Sequence, residues 1–105
     1  MRYESFRKRL HDAVVNTPGD TPAELRQAVL ERAGGVRDGV PPELQPYVDT
    51  VARHAYKVTD SDVQALQRSG HSDDALFEIT VAAAVGAALH RLDRGLAALR
   101  GEEPD

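Results

Sequence analysis

Eleven consecutive residues, "ITVAAAVGAAL" from Ile79 to Leu89, carry no charge. In a helix such a run presents apolar surface on every side, so other elements have to cover it all round. The surrounding segment reads as one alanine-rich C-terminal helix from about Asp73 to Arg100, capped by Ser72 and closed by Gly101. At ~1.5 Å per residue it is roughly 40 Å long, more than a domain of this size needs for its own core. Part of it is therefore expected to serve a neighbour. The uncharged run is too short to span a bilayer by itself, and its small residues, with Gly86 in the middle, let another helix approach closely. After it, Leu89, Leu92, Leu96 and Leu99 continue as a single stripe.

The rest of the chain also reads as helix. Tyr3, Phe6, Leu10, Val14 and Val15 recur at helical spacing, which predicts an amphipathic helix over about 2–15, ended by "NTPGD". In "TPAELRQAVLERAGG" Thr21 is placed as an N-cap, Pro22 suits the first helical position, Glu24 completes a capping box and Gly34 is a stop. "VRDGVPP" is a linker. A third helix is expected from about Glu43 to Tyr56, with Pro46 tolerated in its first turn. Thr59 opens the fourth, its "TDSD" start placing carboxylates at the positive helix end, and Gly70 stops it. The pattern predicts an all-α bundle of about five helices, with no strand alternation and no repeat.

At 105 residues the chain is most simply a single domain, 1–105. It divides into an N-terminal helical region (1–40), a core (41–101) and an acidic tail (102–105). A net charge of -4, with only two lysines among thirteen basic residues, provides no basic stripe for nucleic acid. The absence of cysteine removes disulfides, thiolate metal sites and thiol catalysis together. The N-terminus alternates charged with apolar residues and lacks the apolar core of a signal peptide, so a cytoplasmic protein without a membrane partner is expected.

From Glu43 onward, "HAYKVTDSDVQALQRSGHSDDALFEIT" and the helix that follows resemble the alkylhydroperoxidase D-like and carboxymuconolactone decarboxylase superfamily. That family shows a glutamate, then C-x-x-C-x-x-x-H on a helix, a glycine, a short S/T-D-D/E cap and a long alanine-rich helix. Here "GHSDDALFEITVAAAVGAALHRL" matches the last features. Counting back from Gly70 places the family's cysteines on Ala55 and Val58 and its histidine on Asp62, with Glu43 at the family glutamate. The resemblance implies an all-α subunit that assembles as a homo-oligomer, and either dithiol peroxide reduction or acid-base chemistry on a lactone. Ala55 and Val58 exclude the first, because neither side chain can form a thiolate.

The candidate catalytic residues are therefore Glu43, His54 and Asp62. Glu43 is a possible general base, His54 a proton shuttle and Asp62 a proton acceptor at the family histidine position. Each also has an ordinary explanation: Glu43 and Asp62 as helix-start carboxylates, His54 as a surface group. His90, at the end of the apolar run, is a candidate to point into a pocket or across a subunit interface, with a satisfied, partly buried state the first expectation, and Tyr47 and Tyr56 are candidates to line a cavity. His11, His54, His71 and His90 form no i, i+4 pair, and no metal or cofactor motif occurs. The first functional expectation is a non-redox assembly or accessory protein. The second is an acid-base decarboxylase or isomerase, and the third a module that holds a small molecule without turning it over.

Overall fold

The computed structural model describes residues 2–36 and 39–101. Among them every regular element is helical: α1 (Arg2–Val15), α2 (Ala23–Ala33), α3 (Gln45–His54), a 3₁₀ turn (Ala55–Lys57), α4 (Asp60–Arg68) and α5 (Asp73–Leu99). Arg37 and Asp38 of the expected linker, and the expected tail 102–105, lie outside the described residues.

The long helix α5 organises the chain. It packs most heavily against α2, then α3 and α1, and α4 touches it more lightly. Ile79, Ala82 and Ala83 on α5 are fully enclosed with Val29 of α2 and Val48 of α3, and Leu44 seals the same core. Burying each of the larger of these side chains is worth about 1.5–3 kcal/mol relative to leaving it in water. Gly86 explains the closeness of the α2–α5 contact: a Cβ built there would lie 2.2 Å from the Leu30 carbonyl oxygen and 3.0 Å from the Ala33 Cβ. Any side chain at this position pushes two backbones apart. Among the described residues α5 is also the one helix long and apolar enough to cross a membrane by length and composition, yet Ile79, Ala82 and Ala83 spend that apolar surface inside the chain.

The cover around the uncharged run is incomplete. Ala84 and Ala88 are exposed and Val81 and Val85 only half-buried. Phe77, one turn earlier, is 68% exposed.

Local chemistry sets the later helix boundaries. Thr59 and Asp62 form a reciprocal capping box at the start of α4: the Asp62 N–H donates to Thr59 Oγ1 at 3.2 Å, and the Thr59 N–H donates to Asp62 Oδ2 at 2.9 Å. Ser72 caps α5 by accepting from the Ala75 N–H at 3.1 Å. Between them the chain reverses at Gly70, whose φ of 104° is one that side-chain-bearing residues rarely adopt.

Two expected starts are corrected. Thr21 does not cap α2; Pro22 occupies that position without a side-chain bond, and Glu24 closes no capping box. The Thr21 hydroxyl is captured instead by Glu78 of α5, donating to its Oε1 at 2.6 Å. The third helix starts at Gln45, not Glu43, because Pro41 and Pro42 fold the preceding residues into turns in which the Leu44 and Gln45 N–H groups donate to Pro41 O and Pro42 O. It also ends at His54, whose φ of -145° and ψ of 59° leave helical geometry before the 3₁₀ turn.

The capture of Thr21 belongs to a buried junction of α1, α2 and α5. Glu78 also accepts from the backbone N–H groups of Asp20 (2.7 Å) and Thr21 (2.9 Å). Arg26, only 5% exposed, projects from α2 into the same corner. Its guanidinium donates to Val14 O (2.8 Å), Val15 O (3.1 Å), Thr17 O, Thr21 O and Thr21 Oγ1 (3.2 Å), which accounts for all of its N–H groups. Val14 and Val15 end α1, so Arg26 serves helix-end carbonyls that have no partner within their own helix. The Arg26 Nη1 and the Glu78 Oε1 stand 3.7 Å apart and neutralise each other. With these donors gathered on it, chiefly the Thr21 hydroxyl, the Glu78 carboxyl is held below its ordinary range despite the opposing cost of burial.

Candidate functional site

A shallow depression of about 190 Å³ lies where the start of α3 faces α4, lined by Glu43, Pro46, Tyr47, Thr50, Asp62 and Leu66. The double-proline turn holds Glu43 there, because Leu44 beside it is locked in the core at 1% exposure. Asp62 is fixed by its capping box, which occupies Oδ2. Tyr47 forms the inner wall. Its hydroxyl lies 2.6 Å from Thr80 Oγ1, and the Thr80 hydroxyl itself donates to Leu76 O at 2.6 Å. Thr80 has one proton to give, so Tyr47 is the donor in the first bond.

Behind Glu43 stands a residue that the sequence did not single out for this role. His71, in the turn between α4 and α5, places Nε2 3.7 Å from Glu43 Oε1. That nitrogen is buried and makes no hydrogen bond to any described residue, although His71 as a whole is partly accessible. At 3.7 Å the imidazole and the carboxylate are just outside hydrogen-bond reach. A modest rotation of Glu43, which is 55% exposed, would close the pair.

The three sequence candidates are therefore split. Glu43 and Asp62 share the depression. His54 does not line it; it lies at the far end of α3 from Glu43, exposed, with its ring edge-on to Tyr56 at 5.9 Å. Tyr56 is 80% exposed and does not join Tyr47 in lining the depression. Of the two positions where the resemblance expects thiols, Ala55 opens the exposed 3₁₀ turn and Val58 packs partly against the core. His90 is exposed on α5 rather than partly buried, and it lines a pocket between the ends of α2 and α3 and the middle of α5.

Chemically, the depression offers two carboxylates open to water and a tyrosine hydroxyl already committed as donor, and behind Glu43, outside the depression itself, lies the buried imidazole nitrogen of His71 with no hydrogen-bond partner among the described residues. This set can hold or move a proton at Glu43 and His71. It does not exclude solvent, which limits the electrostatic strength of any such step. Among the described residues no group of three or more His, Cys, Asp and Glu side chains is arranged to hold a metal ion.

Comparison with known protein families, with curated proteins and with solved structures returned no match for this chain.

Proposed function

We propose that this chain is a cysteine-less, non-redox relative of the alkylhydroperoxidase D-like and carboxymuconolactone decarboxylase superfamily, cytoplasmic, and that its role is assembly, with a second copy of itself as partner. The observation that carries this reading is the uncovered face of α5, where Phe77 is 68% exposed. Phe77, Val81, Ala84 and Ala88 follow one another at helical spacing, and none carries a charge. Continuous with them, and with Phe77 as one wall, runs a mostly apolar groove of about 270 Å³ between α1 and α5, lined by Leu10, Val14, Val81 and Val85, with the Arg26–Glu78 pair at one side. Apolar protrusion and apolar groove on one surface are what a two-fold pairing of identical copies requires.

Charge along α5 favours the same partner. Its start bears Asp73 and Asp74, and toward its end stand Arg91 and Arg94, with the intervening Asp93 paired to Arg7. Asp74 and Arg94 are equidistant from Ala84 along the helix. An antiparallel α5–α5 pairing centred on Ala84 thus sets the acidic end of each copy beside the basic end of the other, while a parallel pairing sets like against like.

Sedimentation equilibrium of the purified chain tests this. A dimer is expected at high micromolar concentration, and Phe77→Asp is expected to weaken it at least tenfold without unfolding the subunit, since the side chain is exposed within one copy. A monomeric wild-type protein at that concentration overturns the reading.

One observation favours a second reading, an acid-base enzyme acting on a small carbonyl or lactone. The unpartnered Nε2 of His71 faces Glu43 beside a depression that also contains Asp62. Turnover of lactones or β-keto acids that disappears in Glu43→Gln would support it.

A further inference from the structure

We infer that the pocket between the C-terminal ends of α2 and α3 and the middle of α5 binds a small oxyanion, a phosphate or carboxylate group, through Arg53 and Arg91. The pocket encloses about 200 Å³ and is lined by Arg32, Gly34, Gly35, Arg53, His90 and Arg91, with Asp49 at its side. It is below the ~300–1,000 Å³ of sites for drug-sized ligands, so its occupant is small.

Its cations are not equivalent. Arg32 is paired with Asp49 in a two-pronged ion pair, Nε to Oδ1 and Nη2 to Oδ2, both at 2.8 Å. Both partners of that pair line the pocket, and Asp49 offsets the charge of Arg32. Arg91, which lines the pocket, uses one N–H on Ala52 O at 2.9 Å, a carbonyl near the end of α3, and this leaves its other donors. Arg53 makes no hydrogen bond or ion pair with a described residue, and it is exposed at the rim with His90.

A structural explanation has to be weighed first, because arginines near helix C-termini offset the helix dipole. Two helix ends contribute about -0.5 each, and Arg53 with Arg91 contributes about +2, so roughly one positive charge remains after the dipoles are offset. This surplus stands in a chain whose net charge is -4. Two arginines lining one small cavity, Arg53 without a bonded partner among the described residues and Arg91 with donors left beyond its bond to Ala52 O, suit a phosphate or carboxylate better than a cation or a neutral group. The site is too small and too isolated to serve as a nucleic-acid track. It is also built within one copy, so it does not depend on the proposed pairing through Phe77.

The test is a titration of the intact chain with inorganic phosphate, and in a second arm with malonate, at constant ionic strength made up with chloride. Binding is followed by amide chemical shifts around Gly34, Gly35 and Ala87. Saturable shifts with a Kd of about 1 mM or tighter in either arm are expected, and the arm that saturates first tells phosphate from carboxylate chemistry. Arg53→Gln is expected to weaken binding at least tenfold while leaving the melting temperature unchanged, and Phe77→Asp is expected to leave binding intact. Linear shifts in both arms, or a saturable site indifferent to Arg53→Gln, overturn the assignment.

Discussion

Two polar clusters in this chain are made of the same parts, a glutamate facing a nitrogen-bearing side chain, and they are finished to very different degrees. At the α1–α2–α5 junction Glu78 accepts from Asp20, Thr21 and the Thr21 hydroxyl, and every donor of Arg26 is spoken for. At the turn between α4 and α5, His71 keeps a buried nitrogen without a partner, and the nearest carboxylate, Glu43, stands 3.7 Å away and half in water. Satisfied buried networks hold a fold in one arrangement, whereas unsatisfied ones keep capacity for a proton, a water or a ligand. The first cluster is thus a fastening between helices and the second a candidate for chemistry. Mutations that treat the clusters alike should separate them.

The largest effect is expected from Arg26→Met. It keeps much of the side-chain volume but strips the donors from Val14 O, Val15 O, Thr17 O and Thr21 O and leaves Glu78 without its buried counter-charge. The expected loss is about 3–5 kcal/mol in urea unfolding, much of the stability of a domain this size. A loss below about 1 kcal/mol would show that water replaces the guanidinium and that the junction is not a fastening.

This contrast also explains what the sequence disclosed. The boundaries of α4 and the start of α5 were legible because Thr59, Asp62 and Ser72 act on N–H groups within three residues of themselves. Thr21 carried the same local signal and misled, because Glu78, fifty-seven residues away, outbids the helix start for its hydroxyl. Arg26 did leave a trace: it lies three and four residues before Val29 and Leu30, on the buried side of α2, where a charged residue requires partners. Their identity depends on the tertiary path. At the candidate site Glu43 and Asp62 could be named in advance, but His71 could not. Its neighbours in sequence, Gly70 and Ser72, are turn and cap residues, and only the return of the chain toward the double-proline turn brings it to Glu43.

Glu78→Gln should have an intermediate effect, about 1–3 kcal/mol at neutral pH, since three donors lose a charged acceptor. Its signature is in acid. The carboxyl of the folded protein is held below its ordinary range, chiefly by the Thr21 hydroxyl, so the unfolded chain takes up that proton first as pH falls. The stabilisation is therefore complete above the ordinary carboxylate range and is lost as pH drops through that range to the depressed folded value. Urea midpoints measured from neutral pH downward should converge for wild type and Glu78→Gln. Parallel curves would assign the acid sensitivity to other carboxylates, such as Asp93, which Arg7 also holds low.

The smallest effect on stability is expected from Glu43→Gln, and there the comparison is sharpest. An exposed carboxylate just beyond hydrogen-bond reach of its neighbour contributes little, so the change should lie within about 0.5 kcal/mol. The amide can even rotate toward His71 Nε2 and donate to it, which makes a slight gain as reasonable as a slight loss. Function behaves differently under the two readings of this chain. If the depression moves protons on a bound carbonyl compound, replacing the carboxylate removes a general base worth about 10²–10⁴ in rate while unfolding stays where it was. If the chain only assembles, Glu43→Gln leaves sedimentation, stability and ligand response unchanged together, because Glu43 is in the double-proline turn before α3 and the uncovered apolar surface is on α5. A destabilisation above about 1 kcal/mol would break the contrast itself, since it would mean that the Glu43–His71 contact is closed in solution and belongs with Arg26 and Glu78 among the fastenings.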